Sequence, residues 1–252
     1  MQHSAEINFP QTPSPTIVGG GVCLWYVWIE QCPVTCYCKH MPIPKQANRD
    51  FFKKWTPEMA YVLGFFAADG CITVNKRGGY FWCMQIRDKK LLYAIREALK
   101  SEHKISERRK GGNARTLYRL QIGSSELCKD LEKLGFRERK TKNMTIPHVP
   151  QKYLRDFTRG YFEGDGNIWA GLLHKKRRTP VSVLFTAFTS CSANFLRQLQ
   201  ERLRPVCLGG CIYKSKGNYA RLQYGTLDSL KLYDFMYNHG DYREAGLFLE
   251  RK

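Results

Sequence analysis

The chain has 252 residues, 43% of them apolar, with 14 Tyr and 14 Phe. That is enough apolar material for one large domain or two small ones, and it excludes wholesale disorder. Set against 22 Asp and Glu, 41 Lys and Arg leave a net charge of +19, which points to a polyanionic partner and most simply to nucleic acid.

The charge is unevenly placed. Residues 1–40 hold one basic residue, Lys39, and two acidic ones, Glu6 and Glu30, leaving 40 basic and 20 acidic residues from Met41 onward. The leading stretch carries Pro10, Pro13 and Pro15, then Gly19-Gly20-Gly21, without a sustained period. Residues 1–50 are therefore expected to be an N-terminal extension, disordered or not native, with Met41 as the expected native start. Cys32, Cys36, Cys38 and His40 cluster there as C-x3-C-x-C-x-H, a spacing that matches no common zinc framework. The other six cysteines, Cys71, Cys83, Cys128, Cys191, Cys207 and Cys211, read as small buried hydrophobes in a reducing compartment. No run approaches the roughly 20 apolar residues of a membrane span. With no signal-like start either, the expectation is a soluble intracellular protein, in cytoplasm or organelle matrix.

Thr56-Pro57-Glu58 forms a helix entrance, with Thr as N-cap and Pro at the first helical position. The helix that follows ends in Gly64-Phe65-Phe66-Ala67-Ala68-Asp69-Gly70, an apolar run with small residues suited to close packing. Its glycine is expected to make the turn that stops the helix. Cys71–Arg77 and Tyr80–Arg87 then read as a hairpin across Gly78-Gly79, Asp88–Lys100 as a helix, Lys104–Arg109 and Thr116–Ile122 as a second hairpin, and Ser124–Leu134 as a helix. The same order begins again at Gly160-Tyr161-Phe162-Glu163-Gly164-Asp165-Gly166, with Asp165 96 residues after Asp69. Further on, Arg119-Leu120-Gln121-Ile122-Gly123 matches Arg221-Leu222-Gln223-Tyr224-Gly225, which makes coincidence a poor explanation. The fold class expected is α+β: duplicated αββαββα units over 51–147 and 148–252, related by a pseudo-twofold axis.

Within the strands, residues of one parity share a face. Thr73, Asn75 and Arg77 would share one with Gln85 and Arg87, while Arg119, Gln121, Arg221 and Gln223 alternate with apolar neighbours. Arg, Asn and Gln suit base edges in a major groove, which admits a two-stranded ribbon, although a plain solvated sheet face has the same pattern. Lys110, Arg115, Lys175, Lys176, Arg177 and Arg178 fall in turns and suit phosphates. Two helix-terminal carboxylates brought together, Asp69 and Asp165, would be hard oxygen ligands for Mg²⁺ or another divalent ion such as Mn²⁺.

The two motif copies resemble the signature of the LAGLIDADG homing endonucleases in their single-chain form, over residues from about Trp55 onward. The resemblance implies two motif helices packed at the centre and two antiparallel sheets forming a saddle on double-stranded DNA. It implies a monomer that makes a metal-dependent double-strand break at a long site, each motif aspartate binding metal and serving one strand, with an origin in a mobile intron. It also implies supporting roles for Asp88, whose counterpart is Ser192, in ordering water or metal, although Asp88 equally suits a helix-terminal acid. Lys140 matches the family lysine near the scissile phosphate, and Lys252 is its counterpart at a C-terminus expected to be shortened. Glu163 aligns with Ala67 and falls outside the repeated set. The rival readings are an RNA maturase acting on intron RNA and a non-cleaving DNA-binding regulator, both on this scaffold.

Overall fold

The computed structural model describes residues 45–109, 116–138, 143–174, 176–215, 217–238 and 242–250. Thr56 opens the first helix, α1 (Pro57–Asp69), by accepting the Met59 amide on its hydroxyl at 3.1 Å, with Pro57 leading the helix as the sequence predicts. Every residue from Met59 to Ala67 is buried. A helix apolar all round belongs inside a core, and α1 packs along its counterpart in the second copy, α4 (Leu154–Asp165).

Two glycines decide how closely these helices approach. A Cβ at Gly64 would overlap the Phe157 carbonyl oxygen and come within 2.9 Å of the Tyr161 nitrogen. At Gly160 a Cβ would overlap the Tyr61 carbonyl oxygen and come within 2.9 Å of the Phe65 nitrogen. The contact is backbone on backbone and reciprocal, as a pseudo-twofold axis between the helices requires.

From α1 the first copy continues through β1 (Gly70–Val74), β2 (Tyr80–Ile86), α2 (Lys89–Ala98), β3 (Ser106–Arg108), β4 (Leu117–Gly123) and α3 (Ser125–Lys133). From α4 the second continues through β5 (Gly166–Leu173), β6 (Val181–Ser190), α5 (Ala193–Leu203), β7 (Cys211–Lys214), β8 (Ala220–Tyr224) and α6 (Thr226–Tyr237). Each copy builds one antiparallel four-stranded sheet, in the orders β1-β2-β4-β3 and β5-β6-β8-β7. The duplicated αββαββα architecture is the one the repeat predicts.

One face of each sheet is sealed by helices. In the first, Ile72, Trp82, Met84, Ile86, Leu120 and Ile122 are buried, and Phe66 stacks on Trp82 with ring centroids 5.9 Å apart. In the second, Phe188, Leu222 and Tyr224 play this part, with Phe162 edge-on to Phe188 at 5.5 Å. The helices α2 and α5 add amphipathic faces through Leu91, Leu92 and Ile95, and through Phe195, Leu196, Leu199 and Leu203. Fully buried side chains of this size each contribute about 1.5–3 kcal/mol, so the core lies between helices and sheets and leaves the opposite sheet faces open.

Several local expectations need correcting. Gly70 and Gly166 do not stop their helices through a left-handed turn, because both have extended backbone (φ −85° and −90°). They are glycines because a Cβ would run into the Phe66 or Phe162 ring of the preceding turn. The first strand stops at Val74, so Asn75 and Arg77 do not share the strand face with Thr73. Asn75 instead builds the hairpin turn, its Oδ1 accepting the Arg77 amide at 2.9 Å and the Gly79 amide at 2.8 Å. Arg87 lies just past the end of β2, exposed. Of the six cysteines read as buried, Cys83, Cys128 and Cys207 are, whereas Cys71, Cys191 and Cys211 are exposed. Among the described residues no helix is long and apolar enough to cross a membrane.

Candidate functional site

Asp69 and Asp165 are the last residues of α1 and α4, so the crossing that joins the helices also brings their ends together. Gly164 is the spacer. A Cβ there would overlap that of Ala68 and sit 3.4 Å from Asp69 Oδ2, which places the Asp69 carboxylate against the last turn of the opposite helix. Tyr161, in the same layer, donates its hydroxyl to the Thr189 carbonyl at 2.7 Å. Burial pushes that hydroxyl's pKa well up, and the Asp165 and Asp69 carboxylates push it further, so both acids act on one buried group. Asp69 is exposed and Asp165 half-buried.

Each carboxylate sits at the C-terminal, negative end of a helix dipole, an end where an anion is disfavoured by about 0.3–1 kcal/mol. Two hard oxygen donors at adjoining helix ends, one exposed and one half-buried, fit a divalent cation such as Mg²⁺. Among the described residues no group of three or more His, Cys, Asp and Glu side chains is placed to hold a metal.

Asp69 shares a cleft with Phe65, Gln85, Asp88, Glu163, Leu249 and Glu250. Asp88 is the N-cap of α2, its Oδ1 accepting the Leu91 amide at 2.9 Å, which is the helix-terminal role that its position also suited. Ser192 is its structural counterpart, capping α5 through the Phe195 amide at 3.2 Å and donating its hydroxyl to the Met144 carbonyl at 2.7 Å, fully buried. Replacing Asp88 by Ala is expected to lower stability by about 1 kcal/mol, read as a shift in the urea unfolding midpoint. Lys140, Lys252, Lys175, Lys110 and Arg115, and the cluster of Cys32, Cys36, Cys38 and His40, lie outside the described residues.

The open faces of the sheets hold most of the remaining candidates. Gln85 pairs with Arg119 and Cys83 with Gln121 across β2 and β4, and Thr73 faces Phe81 across β1 and β2, so these side chains share the face away from the helices. Arg119 Nε donates to Cys83 Sγ at 3.0 Å. A hydrogen bond from Cys71 and this guanidinium outweigh burial and hold the Cys83 thiol down to about 6, so the thiol in turn braces Arg119. In the second sheet Arg221 and Gln223 lie on the equivalent face. Arg221 Nη2 donates to Asn167, and Tyr213 donates to Gln223 Oε1 at 2.7 Å. Beyond β5, Lys176, Arg177 and Arg178 are exposed in the turn before β6.

Glu163 is the residue that the repeat comparison passed over. It is buried and accepts three hydrogen bonds: from Tyr61 at 2.6 Å, Tyr237 at 3.1 Å and the Leu249 amide at 2.8 Å. Arg159, one turn earlier and also buried, stands 4.0 Å from Glu163 and donates to the Leu247 carbonyl at 2.5 Å and to Asp156 at 3.4 Å. Its guanidinium is sandwiched between the Tyr61 and Tyr242 rings, 4.4 and 4.5 Å from their centroids. The network ties α1, α4 and α6 to the segment 242–250, which forms one wall of the Asp69 cleft. The network exists in one copy only, so the repeat does not show it; an Arg and a Glu four residues apart on one helix were the available signal.

Residues 56–135 match the family model of the LAGLIDADG-like domain. Among solved structures, the chain is similar to the homing endonuclease I-WcaI bound to its DNA recognition sequence, with 15% identity and a TM-score of 0.54 over 81% of this chain and 88% of that one. It is also similar to the LAGLIDADG meganuclease I-AabMI bound to uncleaved DNA (17%, TM-score 0.50, 73% and 84%) and to I-DmoI in complex with DNA and Mn (13%, TM-score 0.50, 73% and 98%). No curated protein sequence matches the chain. The match to the LAGLIDADG-like domain model spans residues 56–135, and the chain as a whole has the duplicated, two-copy LAGLIDADG fold.

Proposed function

We propose that this protein is a site-specific DNA endonuclease that makes a double-strand break at a long target with a divalent ion, Mg²⁺ or Mn²⁺. The observation that carries the reading is the aspartate pair: two carboxylates at adjoining helix ends, in a protein of net charge +19. The solved relatives described with bound DNA, and with DNA and Mn, support the same reading.

Asp69 and Asp165 hold the metal, each serving one strand. The bound ion supplies Lewis-acid stabilisation of charge on the phosphate and the leaving oxygen, and lowers the pKa of a water. The chain's own residues do the rest. Each sheet lays its open face along a major groove, so that Thr73, Gln85, Arg119 and Gln121 on one side, and Arg221 and Gln223 on the other, meet base edges. Asn75, Arg77 and Arg87 take contacts beside the first strand pair, and Lys175, Lys176, Arg177 and Arg178 contact phosphates. Asp88 orders water in the Asp69 cleft, and Lys140 and Lys252 stand near the scissile phosphates. Because one chain supplies both aspartates, it acts as a monomer. The repeats are taken as 51–147 and 148–252 after an N-terminal extension over 1–50.

The test is selection for cleavage from a randomised duplex library with Mg²⁺. One defined cut site is expected. Cleavage should fall by at least about a thousandfold in the double variant Asp69→Asn/Asp165→Asn, while each single variant nicks one strand. Specific duplex binding without a cut would leave a regulator, and preference for intron RNA over any duplex a maturase. The same substitutions give a readout independent of cleavage. Each should stabilise the metal-free protein by about 0.3–1 kcal/mol, since each removes an anion from a helix C-terminus. Each should also reduce the thermal shift produced by Mg²⁺.

A further inference from the structure

The open face of the second sheet changes character along its length. Near the aspartates it is polar, with Asn167, Arg221 and Gln223. Beyond them β5 and β6 run on as a longer hairpin than β1 and β2. The register pairs Trp169↔Phe185, Gly171↔Val183 and Leu173↔Val181 fall on the same face as Asn167. The Trp169 indole stacks on Phe185 with centroids 5.7 Å apart and planes at 15°, and it lies over Gly171, where a Cβ would come within 2.8 Å of the ring. Trp169, Leu173 and Val181 remain 45%, 37% and 51% exposed. The far end of this strip is bounded by the basic turn of Lys176, Arg177 and Arg178.

An apolar strip of this kind between cations at both ends fits an anionic surface that carries apolar groups. Among the edges a DNA major groove presents, the apolar one is the C5-methyl of thymine. Taking duplex DNA as the substrate, as argued above, we propose that the outer part of the second half-site is read as thymine, by methyl contact with Trp169, Leu173, Val181, Val183 and Phe185. The first sheet has no equivalent extension, since β1 and β2 pair over Gly70–Val74 alone. The two half-sites therefore differ at their outer ends, where only the second sheet carries the longer apolar strip.

The experiment begins with duplexes selected for binding to the full chain in Ca²⁺, then replaces thymines by deoxyuridine one position at a time. Deoxyuridine keeps every hydrogen bond and removes only the methyl. Binding is expected to weaken about threefold to fivefold per thymine in the outer second half-site, by the burial of one methyl group, and by less than about twofold elsewhere. Trp169→Ala and Val181→Ser, both at exposed positions, should bind thymine and deoxyuridine duplexes alike at their respective contacts. Recovery of affinity with 5-methylcytosine at the same positions would confirm the methyl as the recognised group. Tight, specific binding indifferent to deoxyuridine would overturn the proposal while leaving the endonuclease reading intact. No specific duplex binding at all would instead remove that reading. A Trp169-dependent dimer by light scattering would reassign the strip to contact between copies of the chain and overturn the proposal as well.

Discussion

Replacing Gly160 by Ala should destabilise the protein by about 3 kcal/mol or more, and Gly64→Ala by a similar amount. The added carbon has nowhere to go. At Gly160 it would overlap the Tyr61 carbonyl oxygen and crowd the Phe65 nitrogen, and at Gly64 it would meet the same kind of backbone atoms of α4. A side chain could rotate aside, but a helical backbone cannot, so the two helices must part. Parting them loosens the Ala68–Gly164 contact and the layer that aligns Asp69 with Asp165. The expected result is a lower urea midpoint together with a loss of cleavage larger than the fraction unfolded explains. Unchanged stability in either variant would show that the helices have slack at their crossing.

The second large effect concerns the buried pair. Arg159→Met keeps most of the side-chain volume but leaves the carboxylates of Glu163 and Asp156 buried without their cation, and a cost of about 3–5 kcal/mol is expected near neutral pH. Burial already raises both acids' pKa values, against the lowering influence of Arg159. A carboxyl group whose pKa is raised on folding binds its proton more tightly in the native state. Its contribution to stability therefore falls as pH rises from the unfolded value through the folded one. Without Arg159 both folded values rise further, so the variant should be most destabilised above that window and recover towards the parent as pH falls towards 5. Urea titrations of the two proteins at pH 5 and pH 8 measure this directly. A pH-independent difference would mean that the loss comes from packing between Tyr61 and Tyr242 rather than from stranded charge. The same variant should loosen residues 242–250, whose Leu247 carbonyl and Leu249 amide are held by Arg159 and Glu163.

Local chemistry alone determined much of this protein. The Thr56-Pro57 entrance, the apolar motif helices and the order of hairpins and helices follow from side-chain periodicity and capping, which act over a few residues and are written in sequence. Duplication did the rest: matching Asp69 with Asp165, and Arg119-Leu120-Gln121 with Arg221-Leu222-Gln223, located both helix ends and both sheets. The errors came where contacts set by the fold compete with local pattern. Asn75 sat in strand register but was taken by a turn, and Gly70 and Gly166 answered to an aromatic ring beneath them rather than to a left-handed conformation. What belongs to one copy only was decided by tertiary structure. Glu163 gains its partners from α1, α6 and the segment around Leu249, up to 102 residues away, and no periodicity records such a meeting. The strip around Trp169 likewise takes its meaning from strand register, because only pairing across β5 and β6 puts Trp169, Phe185, Leu173 and Val181 on one open face.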